Sequence, residues 1–383
     1  MPNSLPLKLD HHQLVAAGET ALSSEVHSLS LKHRRLASGM SDGVDVLEVR
    51  NGDFTFRVLP TRGMGIHQAV YKGTQIGWQS PVNGPVHPKF VPLSDPSGLG
   101  WLDGFDELLV RCGLESNGAP EHDEETGRLL YGLHGKIANR PAENLTAELS
   151  DSGELTIRGE VPETRFLVYN VALETEIKTA TGEHGFRIKD TIVNRGSHHA
   201  AAQMLYHINF GPPLLGAGSQ LVCPAKRIVP RNEHSASDIK NWDLYQGPKS
   251  GFQEMVYFFE LEADAQGETQ VLLKDAAGNR GVSLRFNISQ LPRFIAWKNT
   301  ADEADGYVTG LEPATNFPNP RSFERDHGRE IQLAGGERYE IDLAFTFHPD
   351  AAEVQEVEQS IRKLTGGKPA TLETAPLSQW CAP

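Results

Sequence analysis

Residues 338–347 read Arg-Tyr-Glu-Ile-Asp-Leu-Ala-Phe-Thr-Phe, with Tyr339, Ile341, Leu343, Phe345 and Phe347 at every second position. Period-two alternation puts these apolar side chains on one face of a strand and Glu340 and Asp342 on the other; a helix would scatter them around its circumference. The same period runs through Phe54, Phe56 and Val58, and through Val171, Leu173, Thr175 and Ile177. Shorter strand candidates cover 186–193, 255–261, 282–286 and 294–297. Turn sequences such as Asn51-Gly52-Asp53, Asp151-Ser152-Gly153, Ala277-Gly278-Asn279 and Gly335-Gly336-Glu337 separate them. Many strands joined by such turns predict an all-β protein of stacked, mostly antiparallel sheets.

Helical patterns are few: a short helix is expected over 104–112 and a longer one over 351–364, with loop after Gly366. A length of 383 residues argues by itself for two or three domains. The strand signals, however, run from about residue 44 to 347 without a compositional break. The reading is therefore one domain over 1–383, with 1–40 as an N-terminal extension and 351–383 as a C-terminal helix and tail. With 38% apolar residues and 37 glycines the chain has material for a large core, which excludes a disordered or collagen-like protein.

The formal net charge of −14 removes the basic footprint that nucleic acids and anionic membranes require, so neither is an expected partner. Cys112, Cys223 and Cys381 are odd in number and far apart, which argues against a disulfide framework or structural zinc. Together with an N-terminus that lacks a secretory pattern, they point to the cytoplasm. Residues 196–225 carry no Asp, Glu, Lys or Arg, yet Gln203, His207, Asn209, Pro212 and Pro213 suit a buried protein interior better than a lipid-facing helix.

Phosphate-binding loops, zinc-protease and nucleophile-elbow motifs are missing. What remains is a series of polar clusters set in apolar sequence. In Leu59–Gly65 an arginine, Arg62, sits in a Gly-rich turn, where it is either a surface residue or an inward clamp. Gly104–Gly113 alternates charge with apolar bulk and contains Arg111, with an internal ion pair as the plain alternative. Leu133–Asn139 holds His134 beside glycine. Met204–Gly211 places His207 in mid-strand inside the uncharged stretch, where an imidazole needs a hydrogen-bond partner or a chemical role. Gly310–Asn316 carries Glu312 between Leu and Pro, a costly place for a carboxylate unless its pKa rises. Asp10-His11-His12 and His198-His199 do not have convincing metal-ligand spacing, and no metal is expected.

In this order the five clusters, continued through Pro318, Asn319 and Arg321, resemble the aldose 1-epimerase (galactose mutarotase-like) superfamily, and within it the DUF4432 branch. The resemblance implies a β-supersandwich with a sugar cleft on one sheet face, and a cofactor-free reaction that opens and recloses the ring of an aldose. It implies His207 as general acid and Glu312 as base, on opposite sides of the ring. It assigns sugar binding to His134 and Arg111. Arg62 and Lys298 are further expected contacts, with Trp297 as an apolar platform. The carboxylate that holds a sugar hydroxyl in galactose mutarotases has two possible positions, Asp243 and Asp275, and Lys136 stands where this branch is expected to carry arginine. The expected partner is a small-molecule sugar and the expected assembly a monomer or homodimer. The alternatives are a non-catalytic sugar-binding or sensing protein on the same fold, and a lyase or glycosidase-like enzyme.

Overall fold

The computed structural model describes residues 7–9, 20–24 and 27–383. Among them, a nine-stranded and a fourteen-stranded sheet hold most of the strands, and the large-sheet pairs are antiparallel except at Thr371–Leu372. The expected stacked-sheet architecture is present. Arg338–His348, whose alternation decided the fold class, pairs with Gly185–Asn194 and Gly281–Asn287 in the nine-stranded sheet. The large sheet runs through Gly65–Tyr71, Leu109–Leu114, Ala200–Phe210, Val308–Ala314, Arg293–Asn299, Met255–Leu261 and Ala225–Pro230 as neighbours.

One main core fills the space between the sheets. Phe56 of the large sheet meets Phe186 of the smaller one with ring centroids 5.0 Å apart, and Phe210 meets Phe345 at 6.2 Å. The opposite face of the large sheet is apolar too, with Val110, Cys112, Leu205, Phe258, Ile295 and Val308 buried under loops that supply Trp78, Trp101, Phe105, Phe317 and Trp380. The central strands are thus covered on both faces, which explains why Ala200–Phe210 has no exposed side, even though Gln203, His207 and Asn209 alternate onto one face of it.

Three segments differ from the sequence reading. Residues 104–112 do not form a helix: Gly100–Gly104 is a 3₁₀ turn and Leu109–Leu114 is a strand with every residue buried. A segment covered on both faces shows neither helical nor strand amphipathicity, so its period is unreadable. Part of the stretch set apart as an N-terminal extension, Leu29–Arg35, is a strand of the large sheet, with Leu29 and Leu31 in the core. The tail after Gly366 is anchored: Thr371–Leu372 pairs with Ala225–Pro230, and Trp380 packs on Phe317. Ala351–Leu364 is the expected helix, capped by Asp350, whose side chain accepts from the Ala352 and Glu353 N–H groups. None of the helices is long and apolar enough to cross a membrane among the described residues.

Candidate active site

On the loop-covered face of the large sheet lies a cleft of about 640 Å³, a size suited to a small organic ligand. His207 and Glu312 form its floor. The register that pairs Leu205 with Ala314 and Ile208 with Leu311 sets His207 opposite Glu312 on the adjacent strand. Both side chains are buried, and His207 Nε2 lies 3.3 Å from Glu312 Oε1. Gly310, one step along the same face, makes room for this contact. A Cβ there would stand 2.7 Å from Glu312 Oε1 and 2.8 Å from His207 Cε1. Gly310→Ala is therefore expected to push the pair apart at a cost of about 1–3 kcal/mol in stability, the usual range for overpacking. Thermal unfolding would show it, and any activity dependent on the pair falls with it.

Burial works on both members in the direction of neutrality. It drives the Glu312 carboxyl well above its usual range, helped by the Glu254 charge, and drives His207 well below the usual imidazole value, helped by His134 and opposed by its hydrogen bond to Asn209. A carboxylic acid facing a neutral imidazole is the favoured resting form.

His134 stands beside the pair, its ring centroid 5.4 Å from that of His207 and 4.7 Å from that of Trp101. It occupies a left-handed backbone position with φ of 56°. Its Nδ1–H donates to the Asn117 carbonyl at 2.9 Å, which leaves Nε2 as a hydrogen-bond acceptor. Desolvation lowers its pKa from 6.5 to about 4, partly offset by that carbonyl. A folded-state pKa below the unfolded one means that the neutral ring stabilises the fold above pH 6.5, and that this contribution disappears as pH falls from 6.5 through 4. Denaturant midpoints measured over this range should drop in the parent protein and drop less in His134→Gln.

The walls are aromatic. Phe105 and Trp297 meet the His207 ring edge-on at 5.1 and 5.4 Å, and Trp78 and Trp101 back Phe105 at 4.9 and 4.8 Å. Trp297 is thus at the cleft, with its Nε1–H donating to Glu254 at 2.7 Å.

Three sequence-assigned contacts lie elsewhere. Lys298 follows Trp297 directly on a strand, so it faces the opposite side of the sheet. There its Nζ donates to the carbonyls of Asn241 and Leu244 at 2.9 and 2.7 Å and lies over the Tyr245 ring, with burial lowering its pKa to about 8. Arg111 likewise projects between the sheets, bonding Asp190 at 2.5 and 3.0 Å and the Met64 carbonyl at 2.7 Å. Arg62 is the inward clamp, but it clamps protein: it donates to Glu107, Asn139 and the carbonyls of Val86 and Gly104 at 2.6–2.9 Å. It ties together the loops that wall the cleft. None of the three lines it.

Asp243 and Asp275 are also outside the cleft. Asp243 accepts from Gln220, and Asp275 faces Arg280. Lys136 pairs with Glu115 at 3.1 Å. The carboxylate that the cleft does present besides Glu312, and that the sequence reading missed, is Glu254; Asp305 also lies at its edge. Missed as well were Arg231, at the end of Ala225–Pro230, and the walls Trp78, Trp101 and Phe105. Period-two spacing within 254–256 and 295–299 signals which residues share the Trp297 face, whereas the loop residues carry no such signal. Among the described residues, no group of three or more His, Cys, Asp or Glu side chains is placed to hold a metal ion.

The family model for DUF4432, a domain of unknown function, matches residues 41–347. A Klebsiella pneumoniae protein provisionally named an aldose 1-epimerase superposes with a TM-score of 0.93 at 34% identity, over 98% of this chain and 99% of that one. A galactose mutarotase-like protein from Clostridium acetobutylicum matches with a TM-score of 0.57 at 14% identity, covering 84% and 99%. The galactose 1-epimerase of Lactobacillus acidophilus gives 0.53 at 10%, covering 88% and 100%. The last two establish likeness of fold alone. No curated protein matches the chain in sequence. The sandwich is of the galactose mutarotase-like kind, and with most of its length matched by the family model the chain belongs to the DUF4432 family.

Proposed function

We propose that the protein is an aldose 1-epimerase-like isomerase, which binds a small sugar in this cleft and interconverts its anomers. The observation that carries the reading is the contact between His207 Nε2 and Glu312 Oε1 on the floor of an aromatic-walled cleft. The names of similar proteins support it, and the apolar walls suit the C–H faces of a sugar ring.

The pair needs only one proton between its two members. With the proton on His207, the Glu312 carboxylate takes the proton of the C1 hydroxyl while the imidazolium protonates the ring oxygen. The C1–ring-oxygen bond breaks and C1=O forms. After rotation about C1–C2, the freed hydroxyl adds to the other face and both transfers reverse. The two sugar oxygens are bonded to the same carbon, so an acid and a base that touch side by side serve them both. This arrangement differs from the expected placement on opposite sides of the ring. The two groups lie 3.3 Å apart, and burial favours their neutral forms over separated charges, so the proton rests on Glu312 until the sugar's oxygens engage both groups. Saturation-transfer NMR on a panel of aldoses tests the reading. Accelerated α–β exchange with at least one sugar is expected; binding without exchange would favour the sensing alternative, and bond cleavage the lyase or glycosidase one.

A further inference from the structure

Asn209 has three side-chain bonds that leave its orientation no choice. Its Nδ2 donates to the Glu107 carbonyl at 2.9 Å and to the His207 carbonyl at 3.3 Å. Both partners are pure acceptors, so the amide nitrogen must face them and Oδ1 must face the imidazole. That oxygen lies 2.6 Å from His207 Nδ1. An amide oxygen only accepts, so Nδ1 must carry a proton whatever the state of the rest of the ring. The backbone of Asn209 is equally fixed, its N–H donating to the Leu108 carbonyl at 2.7 Å.

We infer that Asn209 is the positioning residue that fixes the His207 tautomer, committing Nδ1 to the protein and reserving Nε2 as the one proton-exchanging nitrogen facing the cleft. The inference rests on the anomer-exchange reading above for its catalytic consequence, not for its geometry. Free imidazole chains favour the opposite tautomer, with the proton on Nε2. That form would present Glu312 with a nitrogen already filled and would halt the proton exchange the pair requires. The support continues outward. The Glu107 carbonyl that anchors Asn209 also accepts from Trp78 Nε1 at 3.0 Å, and the Glu107 carboxylate is held by Arg62 at 2.6 Å. Arg62, expected at the sugar, thus acts two residues removed from the imidazole.

The test is long-range ¹H–¹⁵N correlation on the full chain with ¹⁵N-labelled histidine at neutral pH, the His207 signals being assigned by their loss in His207→Gln. The expected spectrum shows a protonated Nδ1; a bare Nδ1 in the parent protein overturns the inference. In Asn209→Leu the Nδ1 proton should be lost and kcat fall by roughly 10–100-fold with KM changed by less than about threefold. Asn209→Asp keeps an acceptor oxygen and should restore both the Nδ1–H signature and at least a tenth of kcat. If Asn209→Leu does not fold, the parent and Asn209→Asp spectra still decide. Retention of the Nδ1–H signal and full kcat in Asn209→Leu contradicts the assignment. Absence of anomer exchange in a parent protein with protonated Nδ1 would sink the functional reading and leave the tautomer assignment standing.

Discussion

Replacing His207 or Glu312 by alanine is expected to lower the rate of anomer exchange by roughly 10²–10⁴-fold, the range for loss of a general acid or base. The double replacement is expected to cost little more than either single one, because one proton serves both groups and each is useless without the other. Glu312→Gln sharpens the test: it preserves volume and removes only the ability to give up a proton. A loss as large as in Glu312→Ala would assign the effect to proton transfer rather than packing. Stability should move the other way. Glu312 is held neutral by burial, so an amide in its place removes a titratable group that the fold disfavours in its charged form. Parallel polarimetry and denaturant unfolding measure both. Additive single-mutant effects would mean that the two residues do not act as a unit.

Arg111→Leu should destabilise the fold by about 3–5 kcal/mol, the penalty for breaking one side of a buried ion pair. Both Arg111 and Asp190 are fully enclosed, and Asp190 also accepts from Tyr206 and Thr175 at 2.8 and 2.7 Å. Removing the guanidinium strands a carboxylate between two sheets and leaves the Met64 carbonyl without its donor. The double variant Arg111→Leu, Asp190→Leu should regain much of the loss, since apolar replacements of buried pairs are often nearly neutral. A residue that held the sugar would behave otherwise: KM would rise and the unfolding midpoint would stay in place.

Strand alternation made the sandwich legible, because one-sided burial leaves a period in the sequence. Arg338–His348 is polar on the side away from the core and apolar on the other. Leu109–Leu114 is covered on both faces and carries no such record, which is why residues 104–112 read as helix; Ala200–Phe210 is buried on both faces too, with Gln203, His207 and Asn209 together on one of them. The pair at the cleft floor was legible for a chemical reason: His207 and Glu312 are polar groups in stretches where burial penalises them. The misplaced contacts had a readable flaw. Trp297 and Lys298 are consecutive on a strand and cannot face the same side, and Arg111 is offset by one from the cleft-side positions Val110 and Cys112. Trp78, Trp101 and Phe105 come from loops whose path is set by long-range contacts such as those of Arg62, and spacing along the chain does not encode that path.

In the proposed reaction His207 and Glu312 exchange one proton with the two oxygens on C1 of an aldose. Two-dimensional exchange NMR between the α and β anomers of a bound sugar measures that reaction without coupling enzymes. For the parent protein it should show cross-peaks growing in proportion to protein concentration, reduced at least a hundredfold in Glu312→Gln. Anomer exchange at the uncatalysed rate with every aldose, or equal exchange in the parent protein and Glu312→Gln, would rule out this proton exchange.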